Sequence, residues 1–242
     1  VFDAIPFLRI FAFLPIAKRV TISFTLTMST VRAITFDAAG TLMRPWPSVG
    51  NVYADAARCR GYAAEDREIN ERFHRVFSEM QSNKGTLDVD ERAFWRMIVG
   101  RTFEGFCPKE IHDSLFEELW ETFAEGKCWR LAEGAVDTLQ VLGTRGYRLA
   151  VLSNNDSRLR PVLRDLGVSD LFEKLFISSE IGFEKPSPEI FQEVELELRT
   201  AAKDMLHVGD SYSRDVQGAL SAGWRTSLYS EKECKLPEAV SR

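Results

Sequence analysis

The sequence predicts an α/β protein in which a parallel-sheet core is interrupted by an inserted helical subdomain. Three observations carry this. Over residues 131–242, short β-branched or apolar runs alternate with single amphipathic helical runs, and the strand-like runs end in Ser, Asn, Gly or Asp. A similar strand-like run, VRAITFDAAGTL, begins far upstream at Val31. Between them, residues 47–130 keep helical periodicity and show no strand signal. Strands separated by single helices form parallel pairs through crossover connections, so the sheet is expected to be buried on both faces.

Taken in order, the run from Val31 is a buried strand that delivers Asp37 into a loop, and Pro45-Trp46-Pro47 then breaks the pattern. Four helical stretches follow: Val49 to Arg60, Glu65 to Met80, Asp90 to Val99 and Pro108 to Ala124. Phe73 with Phe77, and Leu115 with Leu119, lie one turn apart and would line packing faces. Ala135 to Thr144 reads as a helix stopped at Gly146, and Arg148 to Leu152 as a strand ending in Ser153-Asn154-Asn155. Leu159 to Leu166 is a helix ended by Gly167, and Lys174 to Ser178 a short strand. Pro188 to Leu198 starts with proline and carries Glu189 in its first turn, as the helix dipole favours. Met205 to Val208 is a strand running into Gly209-Asp210-Ser211, Asp215 to Ala222 a helix stopped at Gly223, and Arg225 to Tyr229 a last strand. Residues 31–46 and 131–242 therefore form the core, and 47–130 the insertion.

Composition narrows the function classes. The 242 residues are 45% hydrophobic and 28% charged, with 15 Gly and 9 Pro, which excludes collagenous, low-complexity and wholly disordered readings. Lys and Arg number 31 against 36 Asp and Glu, a net charge of -5 without a basic block, so nucleic acid is not an expected partner. Cys59, Cys107, Cys128 and Cys234 are scattered, with no C-x-x-C, and read as reduced thiols in a cytoplasmic protein. Residues 1–30 are the most apolar stretch, but Asp3, Arg9, Lys18 and Arg19 interrupt it before the roughly 20 apolar residues of a membrane span. Its charges follow the apolar run, the reverse of a secretory signal. With Met28 directly before the first strand, this stretch reads as a leader of uncertain order or an over-long translation start, and a membrane partner is not expected.

In an open parallel sheet, ligands bind at the carboxyl ends of the strands, so the polar residues that follow strands matter most. Four clusters satisfy this: Asp37-Ala38-Ala39-Gly40-Thr41, Ser153-Asn154, Glu184-Lys185-Pro186, and Gly209-Asp210-Ser211 with Asp215. Each alone has an ordinary structural explanation as a cap, a turn residue or a solvated lysine. Together they would bring three carboxylates, a lysine and a hydroxyl to one sheet edge. Carboxylates so close repel unless a cation sits among them, and hard oxygen ligands suit Mg²⁺.

The order D-x-x-G-T-L, strand plus S-N, K-P, and G-D-S with a further Asp five residues on resembles the haloacid dehalogenase superfamily of hydrolases over about residues 31–230. The resemblance implies a Rossmann-like core with a helical cap and a small-molecule substrate, phosphorylated in the phosphatase members. By the same resemblance Asp37 is the nucleophile, Ser153 the hydroxyl that holds a phosphate oxygen, and Lys185 the charge that neutralises nucleophile and transferring group. Thr41, Asn154 and Ser211 would add hydrogen bonds to the substrate. Asp37, the backbone carbonyl of Ala39, Asp210 and Asp215 would hold Mg²⁺. A monomer or weak dimer is expected.

One departure matters. Phosphatases of this superfamily carry Asp two residues after the nucleophile, where it protonates the leaving alcohol and then activates water, whereas this chain has Ala39. Acid-base assistance is worth roughly 10²- to 10⁴-fold, so the preferred substrates are expected to be acyl or aryl phosphates, whose leaving groups need little protonation. Two other readings stay open. A dehalogenase-like enzyme needs no such acid, although dehalogenases proper lose the paired acids that Asp210 and Asp215 retain. A catalytically impaired binding protein on the same scaffold is the other. Phosphonoacetaldehyde hydrolases also have Ala there but need a cap lysine, and Lys84, in a Ser-Asn-Lys-Gly loop, is a poor candidate for a desolvated nucleophile. Retained metal ligands without the acid-base residue resemble the rhythmically-expressed-protein-like hydrolases. Arg44, Trp46, Arg58, Lys84, Trp95 and Arg96 are the charged and aromatic residues of the insertion from which specificity would be drawn.

Overall fold

A computed structural model describes residues 31–83 and 89–230, so the leader, Lys84 and Cys234 lie outside the described residues. They fall into two compact units. One comprises residues 31–42, 132–154 and 171–230, the other 43–131 and 155–170.

The first unit is built on a five-stranded sheet of β1 (Ala33–Phe36), β4 (Arg148–Ser153), β5 (Lys174–Ile177), β6 (Met205–Gly209) and β7 (Arg225–Leu228), in the order β5-β4-β1-β6-β7. All neighbouring pairs are parallel. The chain winds outward from β1 through β4 to β5, then crosses to β6 and β7 on the other side, so the carboxyl end of β1 lies where the winding reverses. Every residue of β1 is buried, as expected of a central strand. On one face Ala33, Ala150, Leu152 and Met205 pack with Ile190, Phe191, Val194 and Leu198 of α8 (Pro188–Leu198) and with Trp224. The alternate residues point the other way, where Phe36 meets Phe172 edge-on with ring centroids 6.5 Å apart. The helix α5 (Ala135–Thr144) lies where the sequence places it, followed by Gly146 at a positive φ of 83°.

The second unit holds α1 (Val49–Arg58), α2 (Asp66–Ser82), α3 (Glu91–Phe103) and α4 (His112–Thr122), packed around Tyr53, Ile69, Phe73, Phe94, Phe103 and Leu115. Phe73 and Phe77 stack with centroids 5.6 Å apart, and Leu115 and Leu119 are both buried, as the one-turn spacing implies. Also in this unit, the Arg158 guanidinium lies 3.5 Å over the Trp120 ring and is paired with buried Asp156, next to α6 (Leu159–Asp165). Asp165 accepts from the Gly126 amide at 2.9 Å.

Three local features were not legible. β2 (Met43–Pro45) and β3 (Trp129–Leu131) pair antiparallel at the two ends of the helical insertion; three residues each, one of them proline, are too few for a period-2 pattern. A short helix, α7 (Ser178–Ile181), ends β5. The stretch read as one helix from Asp215 begins earlier, as a wide π turn over Tyr212–Gln217 that passes into α9 (Gly218–Ser221). Its first turn is drawn back because Asp215 leans over Gly209 and accepts the Ser211 amide at 2.8 Å. No helix among the described residues is long and apolar enough to cross a membrane.

Phe191 is fully buried and meets Trp224 edge-on at 5.1 Å. Phe191→Ala is expected to cost about 3–5 kcal/mol of stability by lost burial and a cavity, measured as a shift in the urea unfolding midpoint with an unchanged slope.

Candidate active site

The site residues arrive from strand ends. The Asp37 amide donates to Val208 O at 2.8 Å, which carries the ladder one residue past β1 and fixes where the carboxylate emerges. Asp37 is buried, and its Oδ1 accepts from Ser153 Oγ at 3.0 Å and Lys185 Nζ at 2.9 Å. Among the described residues no donor reaches its Oδ2. Gly40, at φ 101°, lets the chain turn back beneath Asp210: a Cβ there would lie 2.6 Å from Asp210 Oδ2. At Gly209 a Cβ would lie 2.3 Å from Asp215 Cγ, so two acids approach only because two glycines leave room.

Lys185 is the hub. Its ammonium donates to Asp37 Oδ1 (2.9 Å), Asp215 Oδ1 (2.6 Å) and Leu152 O (2.7 Å), and its side chain is 1% exposed. Asn154 holds its backbone from both sides: Asn154 Nδ2 donates to Lys185 O, and the Lys185 amide donates to Asn154 Oδ1, each at 2.8 Å. One amide hydrogen of Asn154 is left over. Ser211 caps the turn, its Oγ accepting from the Arg214 amide at 3.3 Å. Thr41 Oγ1 is buried without a hydrogen-bond partner among the described residues, and Ala39 is exposed.

One oxygen from each of Asp37, Asp210 and Asp215 lies within 4.8 Å of the others. This all-oxygen donor set could hold a hard divalent cation. Burial raises the Asp210 carboxyl, and the charges of Asp37 and Asp215 push it further in the same direction. Burial would raise Asp215 too, yet the His207 hydrogen bond and the Lys185 charge outweigh it and hold that carboxyl well below the usual range. Neighbouring groups therefore push Asp210 towards its neutral form and Asp215 towards its anion.

The structure thus brings together Asp37, Ser153, Asn154, Lys185, Asp210, Ser211 and Asp215, with Ala39 and Thr41 in the loop after Asp37. His207 was missed in the sequence: a lone histidine in an apolar strand reads as core. It is fully buried, with Nε2 3.1 Å from Asp215 Oδ1. Of the insertion residues, Arg58 is paired with Asp55 and Asp66, Arg96 with Asp113 and Glu117, and Trp95 Nε1 donates to Glu91. Trp46 lies under Arg130, 3.5 Å from the guanidinium to the ring centroid.

Comparison with known proteins matches the chain to one family. A family profile described as haloacid dehalogenase-like hydrolase matches residues 31–223. Haloacid dehalogenase-like hydrolase domain-containing protein 3 of Homo sapiens is 34% identical over 207 residues, 82% of this chain and 81% of the relative. The Rhythmically expressed gene 2 protein of Drosophila melanogaster is 26% identical over 222 residues, 85% of each. Among solved structures, a magnesium-bound HAD-hydrolase from Bacillus subtilis aligns with a TM-score of 0.65 at 19% identity, covering 82% of this chain and 88% of that one.

The raised Asp210 carboxyl has a sign that can be tested. The native state holds this proton more tightly than the unfolded chain, so ionised Asp210 costs stability above the carboxylate range and nothing in acid. Asp210→Asn is expected to stabilise the metal-free protein at pH 7 by about 0.5–1 kcal/mol, a small gain because water screens this exposed side chain. The gain should vanish below about pH 4, as read from thermal melts across pH.

Proposed function

The chain belongs to the haloacid dehalogenase-like hydrolase family and is a hydrolase, and from that premise we propose that it is a Mg²⁺-dependent enzyme hydrolysing small phosphorylated metabolites through an intermediate on Asp37. The observation that carries this is a charge balance. Of three carboxylates in mutual reach, Asp37 and Asp215 share the Lys185 ammonium and Asp210 has only the more distant Arg214 charge, so their direct contacts leave the three two charges short of neutrality. Asp37, Asp210, Asp215 and the Ala39 carbonyl are assigned to the cation, which when bound supplies the positive charge that lets a phosphoryl group approach these acids.

The chain's own residues do the rest. Lys185 and Ser153 hold Asp37 Oδ1, which leaves Oδ2 to attack phosphorus. The Oδ2–P bond forms as the bond to the leaving oxygen breaks, its electron pair going with that oxygen. Water then cleaves the aspartyl phosphate, releasing phosphate and restoring the carboxylate. The Ser153 hydroxyl, donating to Asp37 without substrate, is assigned to a phosphoryl oxygen in its presence, and the unpartnered Thr41 hydroxyl, the spare Asn154 N–H and Ser211 to substrate oxygens. Ala39 cannot move a proton, so leaving groups that depart as stable anions are favoured, as in acyl and aryl phosphates. Retention of both Asp210 and Asp215 weighs against a metal-free carbon-halogen hydrolase. The helical insertion, residues 47–130, is assigned as the cap that chooses the substrate, and the parallel-sheet unit, which carries every site residue named here, as the core that performs the chemistry. The working state is taken as a cytoplasmic monomer or weak dimer.

Rates on phosphate esters graded by leaving-group pKa are expected to climb steeply as that pKa falls. Ala39→Asp should raise alkyl-ester turnover about 10²-fold or more while changing aryl esters little; equal wild-type rates on both classes would sink the proposal. Asp37→Asn should abolish turnover. Mg²⁺ at a hundredfold excess over its dissociation constant should stabilise the protein by about 2.7 kcal/mol, a rise of roughly 5–10 °C in melting temperature. Asp210→Asn should lose that increment.

A further inference from the structure

Behind the carboxylates runs a short polar row within the sheet. The register sets Thr35 of β1 beside His207 of β6, and His207 beside Thr226 of β7. Thr35 and His207 are both fully buried, and the imidazole packs edge-on against Phe191 with centroids 6.2 Å apart. Its Nδ1 is 2.8 Å from Thr35 Oγ1, and its Nε2 is 3.1 Å from Asp215 Oδ1 and 3.5 Å from Lys185 Nζ.

Hydrogen-bond accounting fixes the proton on this ring. A carboxylate can only accept, so the bond to Asp215 requires the hydrogen on Nε2. With the hydrogen on Nε2, Nδ1 is free to accept from the Thr35 hydroxyl 2.8 Å away; that hydroxyl's alternative partner, Leu206 O, is farther off at 3.5 Å. Lys185 has three ammonium hydrogens and three acceptors closer than the ring, on Asp37, Asp215 and Leu152, so it makes no demand on Nε2.

We propose that His207 is a positioning residue: held by Thr35 at Nδ1, it donates its Nε2 hydrogen to Asp215 Oδ1 and sets the rotation of that carboxylate. Asp215 Oδ1 then takes the Lys185 ammonium, while Oδ2 faces the Ser211 amide at 2.8 Å. The ammonium shared with Asp37 Oδ1 is aligned through this contact, so a ring that touches no substrate governs the nucleophile at one remove. The consequence for cation binding and turnover rests on the function proposed above; the tautomer and the contact do not.

The experiment has two arms. Long-range ¹H–¹⁵N spectra of the wild-type histidines at pH 7, with His207 assigned by its absence in a variant, should show a hydrogen on His207 Nε2. A ring whose hydrogen lies on Nδ1 alone overturns the proposal whatever the enzyme does. In the second arm, His207→Leu keeps much of the volume but removes the donor, whereas His207→Gln returns an N–H near the Nε2 position. His207→Leu should lower kcat on an aryl phosphate, and Mg²⁺ affinity read from melting temperature, by about 10- to 100-fold with KM nearly unchanged. His207→Gln should recover most of both. If His207→Leu matches wild type, or His207→Gln is no better than His207→Leu, the ring only fills space and the proposal fails. Wild type that binds no Mg²⁺ and turns over no phosphate ester removes the function proposed above, and the spectra alone then decide the place of His207.

Discussion

The site depends on one buried ammonium. Lys185 bonds to Asp37 and Asp215 at once and to the Leu152 carbonyl, with its side chain 1% exposed and the two acids 10% and 2% exposed. Ions taken from water repay their desolvation only when geometry is good and every hydrogen is used, and here every hydrogen is used. Without that charge, Asp37 and Asp215 would stand as two buried carboxylates close together, which a folded chain avoids by protonating one of them. Asn154 clamps the Lys185 backbone and Ser153 shares its acceptor, so the S-N pair at the end of β4 serves the lysine and the nucleophile before any substrate arrives.

Much of this was legible because parallel sheets constrain where polar residues can go. The strand ends after Phe36, Leu152 and Val208 were readable from apolar runs that stop at Asp, Ser or Gly, and the family's four motifs sit at those ends or in the loop that carries Lys185. What stayed hidden has physical reasons. His207 occupies an inward position in an apolar strand, where composition cannot separate a packed imidazole from one that donates to an acid; only its neighbours across the sheet do so. The β2–β3 ribbon is too short to set a period. The π turn at Tyr212 follows from Asp215 folding back over Gly209, a contact between side chain and backbone that no helical periodicity encodes.

The helical unit shows how arginine can be structural in a basic-looking stretch. Arg158 lies against Trp120, shares two hydrogen bonds with Asp156 and donates to the Trp120 carbonyl at 3.2 Å. Its hydrogen bonds stay within the unit, as do those of Arg58 and Arg96. Residues 155–170 thus group with the insertion although they follow directly on Asn154, a division that alternation of strands and helices does not reveal.

The place of β1 has a consequence for synthesis. This strand is made early, yet both of its neighbours in the sheet come late, at residues 148–153 and 205–209. Asp37 meets Ser153 across 116 positions and Lys185 across 148. A nascent polypeptide on the ribosome therefore carries its apolar AITF segment unpaired until much of the message has been read, and loops this long close slowly. The helical block, whose α1–α4 contacts all fall within a contiguous stretch, has no such wait. Hydrolytic competence cannot appear until the last third of the chain has left the exit tunnel, and the emerging edge until then is a natural client for chaperones.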